Sequence, residues 1–180
     1  MIAASINSDV LEAFEECRPV SDIQRQWMLG QGVPASVLMS EDAPAFARVS
    51  FDENGLFELD PGGEGALIFL GREADGPPID LVAWRPKAGT LATWLGRAAL
   101  LGSPYAPRLR ADRALPVWRS PLDWLKASRS GVCIVHQERS ALLLEGLGPL
   151  LAEDVDHGMA LSGSLAIPAP RILVPEEQAS

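Results

Sequence analysis

Apolar residues recur at helical spacing near the start of the chain and in strand-like alternation later, which predicts helices followed by a sheet. Val10, Leu11, Phe14 and Cys17 share one helical face after Ser8, with acids on the other side. Arg18-Pro19 ends that helix, because a proline disfavours helical geometry in the residue before it. Ser21 and Gln24 have capping-box spacing, in which each side chain meets the other's backbone amide. Ile23, Trp27 and Met28 then form a short apolar stripe, and Gly30 suits the left-handed position after a helix. Residues 31–34 read as a turn, with a further short helix over 34–38.

The period changes after Pro44. Residues 46–51 alternate, Asp52-Glu53-Asn54-Gly55 is a turn, and 56–59 return as the partner strand. Residues 60–65, rich in glycine, read as a flexible hinge. Strands are predicted over 66–72, 79–85 and 90–95, with Asp75-Gly76-Pro77-Pro78 and Pro86-Lys87-Ala88-Gly89 as turns between them. Connections this short favour antiparallel pairing, since parallel neighbours need a long crossover. Residues 102–113 read as irregular and 114–118 as a short strand. Ser120 and Pro121 start a helix running to 128, and residues 131–135 are apolar enough for a buried strand. Short helices are predicted over 140–145, 149–154 and 156–161, with a last strand over 170–175. The expected fold class is therefore α+β: N-terminal helices, a central antiparallel β-meander, and a C-terminal mixed α/β segment packed on it. A chain of 180 residues reads as one domain, with 1–62 and 63–180 as a potential subdivision.

Charge adds what the pattern cannot. Residues 1–65 carry a net −9, residues 66–130 a net +5 and residues 131–180 a net −5. A basic middle between acidic flanks implies either internal pairing or one face offered to an anionic partner. The middle holds four of the five tryptophans (Trp84, Trp94, Trp118 and Trp124), the single tyrosine, Tyr105, and the arginines Arg108, Arg110, Arg113 and Arg119. Cations for phosphates and flat rings for bases are what a single-strand binder needs. Trp84 and Trp94 sit in apolar strands and read as core, so Tyr105 and the loop arginines are the better binding candidates. In the acidic third, Glu41, Asp42, Asp52 and Glu53, with Glu58, Asp60 and Glu64, form an alternative surface. Such carboxylates could imitate a phosphate backbone and inhibit a nucleic-acid enzyme, or simply keep the surface solvated.

Candidate chemistry is sparse. Cys133 and His136 have half of a zinc-ligand spacing, and His157 lies near Asp154 and Asp156. Three residues apart in a strand, however, Cys133 and His136 point to opposite faces. No Gly-x-Ser-x-Gly elbow is present, and Gly62-Gly63-Glu64-Gly65 precedes a strand, whereas phosphate loops follow one. No catalytic residue, metal or cofactor is therefore expected. No segment approaches the roughly 20 apolar residues of a membrane span. The N-terminus lacks a basic leader, and two cysteines 116 positions apart give no disulfide framework, so reduced thiols in a cytoplasm are expected. Residues 27–34 ahead of the meander faintly resemble the region preceding the catalytic core of some mobile-element primases, although no acidic catalytic motif of that class accompanies them. The expectation is a non-enzymatic cytoplasmic binding or accessory protein, with a phage or mobile-element role compatible. It would act by charge complementarity on a protein or nucleic-acid partner. The alternative is a small enzyme or metalloprotein using Cys133, His136 and His157 with Asp154 or Asp156.

Overall fold

The computed structural model describes residues 2–72, 76–102, 114–145 and 147–166. It is an α+β fold with two sheets. The first helix, α1 (Ile2–Glu15), begins before Ser8 and buries Val10 and Ala13. Arg18–Pro19 does more than stop it, forming a two-residue strand, β1, paired with β2 (Ala45–Phe51). The capping box of α2 (Asp22–Gly30) forms as its spacing predicts: Ser21 N–H donates to Gln24 Oε1 at 2.8 Å and Gln24 N–H to Ser21 Oγ at 3.3 Å. The left-handed glycine after this helix is Gly32 (φ +93°), two residues later than the expected Gly30. Helix α3 (Ala35–Leu38) follows Pro34.

The first sheet is antiparallel. β3 (Phe57–Leu59) pairs with the end of β2, while β4 (Glu64–Arg72), β5 (Pro78–Arg85) and β6 (Thr90–Thr93) form the meander. Residues 60–63 are a defined turn, with Gly63 N–H bonded to the Asp60 carbonyl at 2.9 Å, where the sequence reads as a hinge. The sheet curls until the β2–β3 turn meets its far edge, where Thr93 N–H donates to the Gly55 carbonyl at 3.0 Å.

The second sheet runs in the order β10 (Leu150–Leu151), β8 (Leu115–Trp118), β9 (Val132–Ile134), β7 (Leu100–Leu101) and is mixed. β10 replaces the helix expected over 149–154. Two adjacent leucines after a proline suit a parallel edge pairing with β8 as well as they suit a helical turn. Helix α4 (Pro121–Lys126) has Ser120 as its cap and ends two residues early, because Ser128 and Arg129 are both left-handed (φ 54° and 62°). That conformation costs a non-glycine residue about 1–2 kcal/mol. Its return is the placement of Arg129, whose guanidinium donates to the carbonyls of Asp42 (2.6 Å) and Val37 (3.3 Å) and lies over the Trp124 ring. Helices α5 (Gln137–Leu144) and α6 (Val155–Ser164) complete the fold.

Strand alternation sorts side chains into three cores. One face of the first sheet packs Ala66, Ile68, Leu81 and Ala83 against Val10 and Ala13 of α1. Its other face sends Leu67, Phe69, Val82 and Trp84 against α2 and α3 and against Leu101, Trp124, Leu125 and Cys133 of the second unit. The outer face of the second sheet places Leu100, Leu115, Val117 and Val132 under Leu144 of α5 and Leu161 of α6. Gly131 permits the tight packing of β9 on β8: with φ +83°, a Cβ there would stand 2.3 Å from the Pro116 carbonyl oxygen.

Asp80 is fully buried among these apolar groups. It shares the face of Val82 and Trp84 and accepts four backbone N–H groups, from Leu81 (2.8 Å), Leu95 (2.8 Å), Arg97 (2.6 Å) and Ala98 (2.9 Å). Gly71 opposite it lets Ala98 approach, since a Cβ on Gly71 would lie 2.7 Å from that of Ala98. From the other side, Arg139 of α5 donates to the carbonyls of Gly96 and Arg97, and Ser140 Oγ donates to that of Ala99 at 2.7 Å. Residues 95–99 are thereby held by their N–H groups to the first sheet and by their carbonyls to the second unit. Asp80→Ala is expected to cost about 3 kcal/mol or more, the scale of leaving several buried donors unsatisfied. Asp80→Asn, which turns N–H against N–H, should cost a similar amount. Urea unfolding measures both, and an unchanged midpoint would show that the segment is held by other contacts.

Candidate functional site

The residues singled out by sequence are dispersed rather than gathered. Tyr105, Arg108, Arg110 and Arg113 lie outside the described residues. Arg119, at the end of β8, is ion-paired: its guanidinium meets both oxygens of Asp154 (2.6 and 2.7 Å) and one of Glu153 (3.5 Å). Trp84 and Trp124 are buried in the core between the sheets, while Trp94 and Trp118 are half-buried, Trp94 on the α1 side of the first sheet and Trp118 against the core between the sheets.

Much of the acidic stretch serves the local fold. Asp42 pairs with Arg72 at 2.8 Å and Glu64 with Arg85 at 2.8 Å. Asp52 takes the amides of Leu56 (2.7 Å) and Asn54 (2.9 Å), closing the hairpin turn. Asp60 accepts from Ser50 Oγ and from Gly62 N–H. These hydrogen bonds, from Leu56 first at Asp52 and from Ser50 first at Asp60, hold both carboxyls below the usual carboxylate range. Glu41, Glu53 and Glu58 remain exposed, with no ion pair among the described residues.

The thiol and imidazoles do not converge on one chemistry. Cys133 faces the core between the sheets, where burial first, and then Asp123 and Glu153, push its thiol up to about 12. Cys17 is raised by burial and by Glu16 to about 11. His136 is exposed and caps α5, its Nδ1 accepting the Arg139 amide at 3.4 Å. His157 is buried in α6, and its Nδ1 accepts the Glu153 amide at 3.2 Å. Asp154 caps α6 through the His157 amide at 2.8 Å. Among the described residues, no group of three or more His, Cys, Asp or Glu side chains is arranged to hold a metal ion, and no helix is long and apolar enough to cross a membrane.

What the fold does gather lies on α5 and α6, over the outer face of the second sheet. A cavity of about 480 Å³ is lined by Trp118, Arg119, Ile134, Val135, His157 and Leu161, with Gln137 and Ser164 at its mouth. The same Gln137 and Ser164 border a second hollow of about 560 Å³ with Glu138, Ala141, Leu142 and Gly163, so the two form one continuous groove. Helical spacing arranges its rims. Glu138 and Leu142 follow one row of α5, with Glu145 just past its end, and Ala160 and Gly163 line the groove from α6, with Asp156 one turn before them. Leu142 is 62% exposed and Met159, one turn before Gly163, is 71% exposed. No ion pair among the described residues neutralises Glu138, Glu145 or Asp156, because Arg139 points away, to the carbonyls of Gly96 and Arg97.

Sequence reasoning found Arg119, Asp154 and His157 but missed Gln137, Leu142 and the groove itself. The signal available was an apolar Leu142 between Glu138 and Glu145 on a face that a core helix would keep polar.

Two measurements check this account. Arg119 first, and then the His157 amide, lower the Asp154 carboxyl to about 2. A carboxyl depressed in the folded state stabilises above its unfolded value of 3.8 and loses that contribution as pH falls toward 2. Carboxyl ¹³C titration should therefore place the Asp154 midpoint near 2, and Arg119→Ala should move it upward toward the ordinary range. Separately, both cysteines should resist alkylation at pH 8 in the folded protein and react fully in denaturant. Rapid native labelling of Cys133 would contradict its burial.

Compared with known proteins, the chain matches no protein-family model, no curated protein and no solved structure.

Proposed function

We propose that this chain is a non-enzymatic binding protein whose α5–α6 groove takes a basic, apolar segment of a protein partner. The observation that carries the reading is an exposed Leu142 beside Glu138 on the α5 edge of a groove whose opposite edge is α6, with the unpaired carboxylates Glu145 and Asp156 at the helix ends nearby. Lysines or arginines on the partner would meet these carboxylates, and its apolar residues would cover Leu142 and Met159. Charge complementarity of this kind steers encounter and selects partners, while the apolar contacts supply most of the affinity. Covering a leucine or methionine contributes about 1.5–3 kcal/mol. Two such anchors supply about 3–6 kcal/mol, which the several kcal/mol that association costs largely offsets, so the expected affinity is weak and the charged rim decides it.

Recognition rather than bond-making is supported by the state of the candidate nucleophile and bases. The Cys133 thiol is raised to about 12, and both imidazoles spend Nδ1 on backbone amides. A protein partner is favoured over nucleic acid at this groove because its unpaired charges are negative. A cytoplasmic setting, with Cys17 and Cys133 as free thiols, belongs to the same proposal.

The test uses an 18-residue leucine–lysine amphipathic helix as probe, with a leucine–glutamate counterpart and single- and double-stranded DNA as comparisons. Fluorescence anisotropy should show binding of the cationic helix alone, weakening as salt rises. Leu142→Ser and the double change Glu138→Lys, Glu145→Lys should each weaken it about tenfold, or 1.4 kcal/mol. Preference for DNA or for the acidic peptide, or indifference to these substitutions, would overturn the proposal.

A further inference from the structure

We propose that the inner cavity of this groove is a separate site for a small neutral ligand carrying a carbonyl acceptor on a flat apolar body, an aromatic carboxamide being the simplest form. His157 is only 6% exposed, lines the cavity, and has its Nδ1 committed to the Glu153 amide. A neutral imidazole with Nδ1 accepting carries its proton on Nε2, which is then a donor. Among the described residues that donor has no acceptor. This Nε2 is not sealed away from solvent: it opens onto the cavity from a side chain otherwise buried, and there it offers one fixed hydrogen bond to an acceptor.

The surroundings decide the ligand's charge. Arg119 is the cation at the cavity, and its charge is already matched by Asp154 and Glu153. Asp156 adds further negative potential there, helping to raise the Arg119 pKa. An anion would therefore face a carboxylate-rich rim with no free cation. An alkylammonium ligand would suit the field but offer His157 no acceptor. A neutral carbonyl satisfies both conditions. At the mouth, Gln137 is exposed and makes no side-chain hydrogen bond among the described residues, so its carboxamide can pair with a ligand amide through one donor and one acceptor. The walls are Ile134, Val135, Leu161 and the Trp118 ring, whose indole N–H is already bonded to the Ser130 carbonyl. These surfaces are apolar and suit a flat body. The volume, about 480 Å³, falls in the range of small-molecule sites.

The chain has two histidines, so an imidazole ¹H–¹⁵N spectrum reads His157 against His136 as an internal control. The probes are benzamide, benzoate and benzylamine, matched in shape and differing in charge. Benzamide should shift the His157 Nε2 resonance at millimolar concentration and leave His136 unmoved. Benzoate and benzylamine should bind at least about tenfold more weakly. Gln137→Leu, at an exposed position, should weaken benzamide about tenfold, and His157→Phe should abolish the benzamide-induced change in tryptophan fluorescence expected from Trp118 at the cavity wall. Equal binding of the three probes, no response of His157 to about 20 mM benzamide, or binding indifferent to Gln137→Leu would overturn the inference. Benzamide has no charge for the carboxylates to attract, so its failure and that of the cationic helix are separate results.

Discussion

The carboxyl of Asp80 and the guanidinium of Arg139 never touch, yet the arrangement of the molecule depends on what lies between them. Four amides converge on Asp80, two carbonyls are taken by Arg139, and the shared object is the backbone of residues 95–98. A peptide segment leaving one sheet for another must bury polar groups that neither ladder satisfies. Here the N–H side and the C=O side are satisfied by side chains of opposite charge from the two units being joined. An apolar seam of the same area would be non-directional and would tolerate sliding. Charged hydrogen bonds to single backbone atoms do not, so the second sheet has one position on the first.

That fixed seam is what gives the outer groove a shape. β7 leaves the seam at Leu100 and carries β9 and β8 beside it, and Ser140 and Arg139 tie α5 to the same residues. α5 therefore has one rotation about its axis. With Ser140, Ala141 and Leu144 turned inward, the row of Glu138 and Leu142 is directed outward. α6 is set by Asp154, which caps it while gripping Arg119 on β8, so its own row is equally determined. Arg119, offered by the sequence as part of a cationic surface, works as the strut that positions the acidic helix.

The fold was legible wherever a local rule had no competitor. The Ser21–Gln24 box, the Ser120–Pro121 helix start and the Pro86–Gly89 turn of the meander are each written within four or five residues, and each formed as its spacing predicts. Reading failed where a tertiary partner decided. Arg18–Pro19 became a strand only because β2 offered an edge, and Leu150–Leu151 because β8 did. The early end of α4 reflects Arg129 reaching carbonyls near ninety residues away, which no window of sequence can show. Asp80 did leave a trace, as a lone acid in an otherwise apolar strand, but its four donors come mostly from a segment fifteen to eighteen residues on. The groove was illegible because it is a relation between two helices whose orientation depends on that same segment.

Net charge by position is therefore a poor guide to where a charged surface works. The first sixty-five residues are the most acidic, yet Asp42, Asp52, Asp60 and Glu64 are engaged in ion pairs and turns that the hairpins require. The last third carries fewer acids, but Glu138 lines the groove, and neither it nor Glu145 and Asp156 at the nearby helix ends has such a duty. A carboxylate already accepting backbone amides has little left to offer a partner, and moving it would unravel a turn. An unpaired one beside exposed leucine and methionine has its interaction free energy still unspent. It is the distribution of unengaged charge, set by packing, that directs recognition to the C-terminal helices.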